Sequence, residues 1–235
     1  MASKANNTTL KIAVSQLPEG WAVTANSKQL KTPLGNALIL PNPPLAEAIA
    51  TEWQGMSPRK ITKAAMPLAS IACIAIDLVR EKRASVIADI LPYAQTDMLC
   101  YRAGEIRALR QLQEQQLDPV IAWAQEALHI SLRVTDSIMP VAQPLENAPR
   151  LQHLLETMEE WKLAVLAVLT KPLSSLILAL AVVHQHLEAE NAFILSHLEE
   201  NFETQKWGVD AEKEAKIASH RDEILAAGKF LELLA

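Results

Sequence analysis

The stretch from Leu163 to Val183 is mostly leucine, alanine and valine, and Lys171-Pro172 interrupts it. An unbroken run of about 20 apolar residues would read as a membrane span; the interruption leaves pieces of about 9 and 11 residues, each too short to cross a bilayer. Proline is tolerated in the first turn of a helix, so Pro172 suits the start of a second one. The run is therefore expected to form a helical hairpin buried at the centre of a core, without stable membrane insertion. A chain of 235 residues that is 50% apolar can supply the rest of that core, either as one large domain or as a small domain beside a larger one.

The hydrophobic period separates two regions. Leu10, Ile12 and Val14 alternate with polar neighbours, Leu-Pro-Glu-Gly at 17–20 reads as a turn, and Trp21 to Ala25 resumes extended character. Asn26-Ser27 gives a second turn, and Leu30 to Asn36 leads into Ala-Leu-Ile-Leu at 37–40, closed by Pro41. From Pro43-Pro44 onward apolar residues recur at helical spacing, as in Leu45, Ile49, Trp53 and Met56. The expected fold is α+β: a small β-meander over residues 1–42, then an all-helical domain over 43–235. Met66 to Val79 is apolar almost all round, the mark of a buried helix. Asp118-Pro119 reads as an N-cap and first helical residue, dividing two helices. Extended character returns only over Leu132 to Val141, and the last helices are expected near 148–160, 162–170, 173–187, 188–206 and 210–234.

Several functions are excluded by what is missing. A net charge of −5 does not suit a surface that must displace counterions from nucleic acid. The six glycines form neither a dinucleotide fingerprint nor a P-loop, and no serine elbow or zinc-protease motif occurs. Cys73 and Cys100 give no disulfide framework or metal spacing. Glu126 and His129 have the spacing of a di-iron helix pair, but the second copy is missing. His184 and His186 should face different ways on a helix. The polar start, Met-Ala-Ser-Lys-Ala-Asn-Asn-Thr-Thr, resembles neither a secretory signal nor a transit peptide. No metal, no cofactor and no catalysis are expected, and a reducing cytoplasm fits best.

Two polar-aromatic segments are left over, Tyr93 to Arg102 and Leu198 to Gly208. Residues 1–80 carry eight Lys and Arg against four Asp and Glu, whereas 188–235 carry five against eleven. That acidic end is either a solvated helical surface or a face that steers a basic partner. Projected as one helix, 188–206 places Asn191, Ile194, Leu195, Leu198 and Phe202 on its apolar face. Glu199 and Glu203 then lie together on its flank, with Phe193, Glu200 and Trp207 nearly opposite. Like charges four apart are unfavourable by about 0.2–0.5 kcal/mol in an isolated helix, which solvent can tolerate and a basic partner can use. Asp97 and Arg102 could pair with each other at a helix end or contact a partner. Trp53 and Trp123 are expected as core anchors, each needing one acceptor for its indole N–H.

A series of blocks carries a resemblance. It comprises Lys-Thr-Pro-Leu-Gly at 31–35, Leu-Ala-Glu-Ala-Ile-Ala-Thr-Glu-Trp at 45–53, Met-Pro-Leu at 66–68 and Ala-Ile-Asp at 75–77. Further on come Tyr-Ala-Gln-Thr-Asp-Met-Leu-Cys-Tyr-Arg at 93–102, Pro-Val-Ala-Gln-Pro at 140–144 and Leu-Glu-Glu-Asn-Phe-Glu-Thr-Gln-Lys-Trp-Gly at 198–208. In this order they resemble the "ATP twelve" family of assembly chaperones for the F1 sector of ATP synthase, in its bacterial form. Where that family often has Asp-Gly-Arg at its early turn, this chain has Asn26-Ser27-Lys28. The resemblance implies a protein that binds the unassembled F1 α subunit and shields the face later taken by the β subunit. It places the family's acidic position at Glu199; the projection adds Glu200, Glu203, Trp207 and Phe193, and the first polar segment Asp97 and Arg102, as further partner-binding candidates. Trp53, Pro67 and Asp77 fall in its other blocks as structural residues. The alternative is a generic helical adaptor without preference for F1.

Overall fold

A computed structural model describes residues 10–54, 56, 61–62, 64–137, 139–207 and 211–235, the side chains of 205–207 and 211–212 excepted. Strands β1 (Ile12–Leu17), β2 (Gly20–Ala25), β3 (Lys28–Gln29) and β4 (Ile39–Leu40) form an antiparallel sheet. Pro18-Glu19 closes the first hairpin, with Leu17 opposite Gly20. Gly20 has φ +144°, and a Cβ there would stand 2.6 Å from the Leu40 carbonyl oxygen, so β4 can approach only a glycine. Asn26 and Ser27 take the left-handed region at φ 50° and 65°, the turn that matches strand twist in a two-residue hairpin.

The sheet is not a plain meander. β3 and β4 both pair with β2, opposite Thr24-Ala25 and Trp21-Ala22, and the chain between them makes an excursion over residues 30–38. That excursion is fixed by its own bonds and by Asp77. The Thr32 N–H donates to the Asn36 carbonyl oxygen at 2.9 Å. The Thr32 hydroxyl donates to the buried Asp77 carboxylate at 2.6 Å, Asn36 Nδ2 at 2.8 Å and the Leu34 N–H at 3.2 Å. Asp77 thus joins the Lys31-to-Gly35 block to the helical body.

Helix α1 (Pro43–Trp53) begins where expected, with the Asn42 side-chain Oδ1 accepting from the Leu45 N–H at 3.0 Å and prolines in the first turn. It packs on β1 and β2 on one side and on α2 (Pro67–Ile74) on the other. Pro67 opens α2, whose free N–H groups at Leu68 and Ala69 donate to the Glu52 carboxylate at 2.8 and 2.9 Å. A π-helical turn, Ala75–Val79, leads into α3 (Arg80–Ile90). Two 3₁₀ turns, Leu91–Gln95 and Met98–Cys100, precede α4 (Arg107–Leu128).

Trp53 is only half-buried: it packs against the core, and its indole N–H finds no acceptor among the described residues. The expectation of a buried, hydrogen-bonded anchor is corrected accordingly. Trp53→Ala is expected to cost about 2–3 kcal/mol, below the usual range for a fully buried tryptophan. Urea unfolding of the variant checks it, and an unchanged midpoint would show that Trp53 contributes nothing to the fold.

α4 runs straight through Asp118-Pro119, which the sequence suggested as a boundary. The missing N–H of Pro119 frees the Gln115 carbonyl, and both residues face solvent, while Leu117, Val120 and Ala124 keep one buried stripe across the site. The described residues of 132–141 form no strand, and Thr135 makes an isolated bridge to Tyr101. Next come α5 (Asn147–Thr157), α6 (Glu160–Leu173), α7 (Leu176–Val183), α8 (Ala189–Ser196), α9 (Leu198–Trp207) and α10 (Ala211–Leu234).

The apolar run forms the centre as expected: α6 and α7 pack against each other, and every residue of α7 is buried. Their boundary lies after Pro172, which ends α6 rather than starting α7. Ser174 takes the left-handed region and Ser175 caps α7, accepting from the Leu178 N–H at 2.8 Å. No helix among the described residues is long and apolar enough to cross a membrane. α10 closes the body over α6, α8 and α2, burying Ile224, Ala227, Phe230 and Leu231. At Gly228 a Cβ would stand 2.5 Å from that of Ala189, so the α8–α10 crossing requires glycine. The core is continuous from Val23 and Leu40 of the sheet through Leu45 and Ile49 to these helices.

Candidate functional site

The acidic segment folds as two helices instead of the single one expected over 188–206. The chain breaks at His197 (φ −113°, ψ 23°), a buried residue whose Nδ1 lies 2.9 Å from Ser196 Oγ and 3.1 Å from the Phe193 carbonyl oxygen. Projection across that break assigns α8 wrongly. Ala192 and Leu195 are its buried residues, while Asn191 and Ile194 face solvent. Phe193 turns toward the core, half-buried, with its ring 4.6 Å from that of His197.

α9 packs on α4 and presents Glu199 and Glu203 to solvent, with Glu200 half-buried beside them. Partial burial raises the Glu199 carboxyl above its ordinary value, and repulsion from Glu203 and Glu200 raises it further, against the pull of Lys213. Lys213 reaches Glu203 at 3.8 Å, an exposed pair. Glu199, Glu200 and Glu203 are thus brought together as one acidic face. The Trp207 side chain and Gly208, with its expected left-handed cap, lie outside the described residues.

Asp97 and Arg102 do not pair, and neither reaches the surface: they are 0% and 5% exposed. Both the expected ion pair and the expected partner contact are corrected. Asp97 accepts from the N–H groups of Leu99 and Ile177 at 3.1 Å each, and also from Ser175, linking the second 3₁₀ turn to the start of α7. Arg102 donates to the carbonyl oxygens of Leu99 and Tyr101 at 2.8 Å and to Asp118 at 2.6 Å, so it ties the same turn to α4. Sequence distance misled here: Ile177 and Asp118 are remote in the chain but close in the fold.

His184 and His186 lie beyond the end of α7, where helical geometry no longer separates them, and both meet Trp123. His186 stacks on it at 4.8 Å and 8°, and His184 stands edge-on at 6.0 Å. No group of three or more possible metal ligands occurs among the described residues. Sequence reasoning also missed Glu52 as the cap of α2 and Leu78 as an exposed residue. The signal for the first was an acidic residue inside a quoted block, whereas the second had none, because its exposure depends on a π turn.

Glu199, Glu200 and Glu203 thus give a body of one small sheet and packed helices an acidic surface. The family model for the ATP12 chaperone protein matches residues 7–125, and the chain belongs to that family. It is therefore a chaperone-family protein and not an enzyme. Atp12 from Paracoccus denitrificans is 35% identical and superimposes with a TM-score of 0.87, covering 96% of both chains. The Atu1473 protein of Agrobacterium tumefaciens is 31% identical with a TM-score of 0.85, over 96% of this chain and 84% of that one. The mitochondrial protein atp12 of Schizosaccharomyces pombe is 24% identical over 197 residues, which is 79% of this chain and 68% of the fission-yeast protein. The α+β class and the chaperone expectation agree with these relatives.

Proposed function

We propose that this protein serves assembly of the F1 sector of ATP synthase in a bacterial cytoplasm, holding the unassembled α subunit on the acidic face of α9 until the β subunit replaces it. The observation that supports this reading most is the grouping of Glu199, Glu200 and Glu203 on one helix, where partial burial first, and repulsion from Glu203 and Glu200 after it, raise the Glu199 carboxyl in the free protein. A basic surface would relieve that repulsion, so binding and charge neutralisation are coupled. Family membership supplies the class of activity, and the face supplies the sign of the partner.

Glu199 is exposed, so Glu199→Lys should change stability by no more than about 0.5 kcal/mol. The same change places a cation against basic groups in a desolvated contact, a loss of about 2 kcal/mol or more, so affinity for the α subunit should fall at least tenfold. A thermal melt and a titration of labelled α subunit on the one variant test this. Equal affinity with an equal melt would reduce α9 to a solvated surface. In a refolding assay the unaltered protein should suppress light scattering by isolated α subunit and leave unrelated proteins unprotected; protection of all alike would favour a generic adaptor.

A further inference from the structure

Two adjoining cavities, of about 290 Å³ and about 500 Å³, share Ile74, Val168, Ser219 and Glu223 and make one groove. Its walls are the α2–α3 run and α10, with α6 as the floor. The floor and one wall are aliphatic: Ile74 and Val168 are half-buried, and Leu78 is 39% exposed. Leu78 is the one exposed residue of the π turn, since Ala75, Ile76, Asp77 and Val79 are all buried. The extra backbone residue of that turn lets Asp77 face the 30–38 excursion while Leu78 faces the groove. Such turns inside helices are often retained where they serve a site.

The rim has the sign of α9. Among the described residues, Asp89, Asp222 and Glu223 line the groove against a single lysine, Lys171. His220, at the same end, is pushed below its ordinary value by burial, then by His197, Lys216 and Lys171, and so adds little positive charge at neutral pH. His220 also lies 5.9 Å from the ring of His197, the residue at the α8–α9 break, so the groove adjoins the helix that carries Glu199. An exposed aliphatic strip under an acidic rim fits a segment with apolar side chains on one side and Lys or Arg beside them. Pro67 to Leu78 spans roughly 16 Å at helical rise, about three turns of such a segment.

We propose that the groove is a second contact for the α subunit: an amphipathic basic segment of that subunit covers Ile74, Leu78 and Val168 and sets its cations against Asp89 and Asp222. This rests on the α9 reading and extends the same acidic surface along α10. Leu78 and Asp222 are exposed, so Leu78→Asp and Asp222→Lys should fold. Titrated with labelled α subunit beside Glu199→Lys, Leu78→Asp should bind at least tenfold more weakly and Asp222→Lys severalfold, with melts unchanged. Hydrogen exchange on the unaltered complex should slow over 67–90 and 219–223. Full affinity in Leu78→Asp and Asp222→Lys, with Glu199→Lys still weakened, would overturn the groove and leave the α9 site standing. Failure of the unaltered protein to bind would overturn both. Should Leu78→Asp lose its melt, Asp222→Lys and the exchange pattern decide, and absence of protection over both segments overturns the proposal.

Discussion

Asp77→Leu is expected to destabilise the protein by about 3 kcal/mol, because three donors lose a common acceptor while the replacement can accept from none of them. The Thr32 hydroxyl is the most affected, since it donates to Asp77 from a buried position. Leu34 and Asn36 face solvent and can exchange their bonds for water, so the loss stays below the sum of three buried donors. The excursion 30–38 should loosen first, because Asp77 is what fastens it to the helical body. Urea unfolding measures the total, and hydrogen exchange over 30–38 locates it. An unchanged midpoint with unchanged exchange would mean that the internal Thr32–Asn36 and Thr32–Gly35 bonds hold the excursion without Asp77.

Asp97 should make the fold less stable as pH rises. Burial pushes its carboxyl up to about 6 from 3.8, against the hydrogen bonds from Ser175, Ile177, Leu99 and Leu176 that favour the anion. The folded value lies above the unfolded one, so its stabilising contribution is complete below about pH 4 and is lost as pH rises through about 6. That loss amounts to about 3 kcal/mol. Asp97→Asn cannot ionise and should lack this component. The measurement is the difference in unfolding free energy between the unaltered protein and Asp97→Asn from pH 4 to pH 8. It should shrink as pH rises. A constant difference would show that the donors around Asp97 keep it ionised throughout.

Much of the fold was legible from local chemistry. The alternation of Leu10, Ile12 and Val14, the placement of Pro43-Pro44 at a helix start, and the apolar run from Leu163 each reflect interactions between near neighbours, and each formed the element expected. The boundaries that moved were set by remote contacts. Pro119 does not break α4, because one buried stripe spans the site and the freed carbonyl is solvated, and Pro172 closes α6 because Ser174-Ser175 supplies the actual turn and cap. The pairing of Glu199 with Glu203 was legible because the two stand four apart on one helix, whereas Glu200, expected on another side, joins them only in the structure. Phe193 was not legible, because the His197 break shifts α8 out of register with α9.

The sequence alone determined the class of fold, the family blocks and the sign of the acidic end, since composition, period and short spacing need no knowledge of what lies across the core. Only the tertiary structure decided which charged groups face water. Asp97 and Arg102 resemble Glu199 in being ionisable residues within polar blocks, and Asp77 is an ionisable residue in an apolar run, yet all but Glu199 are buried by elements far away in the chain. Thr32, Ile177 and Asp118 find them only after folding. The cost of burying a charge falls when distant groups donate to it or pair with it, and no local pattern records whether such groups will arrive.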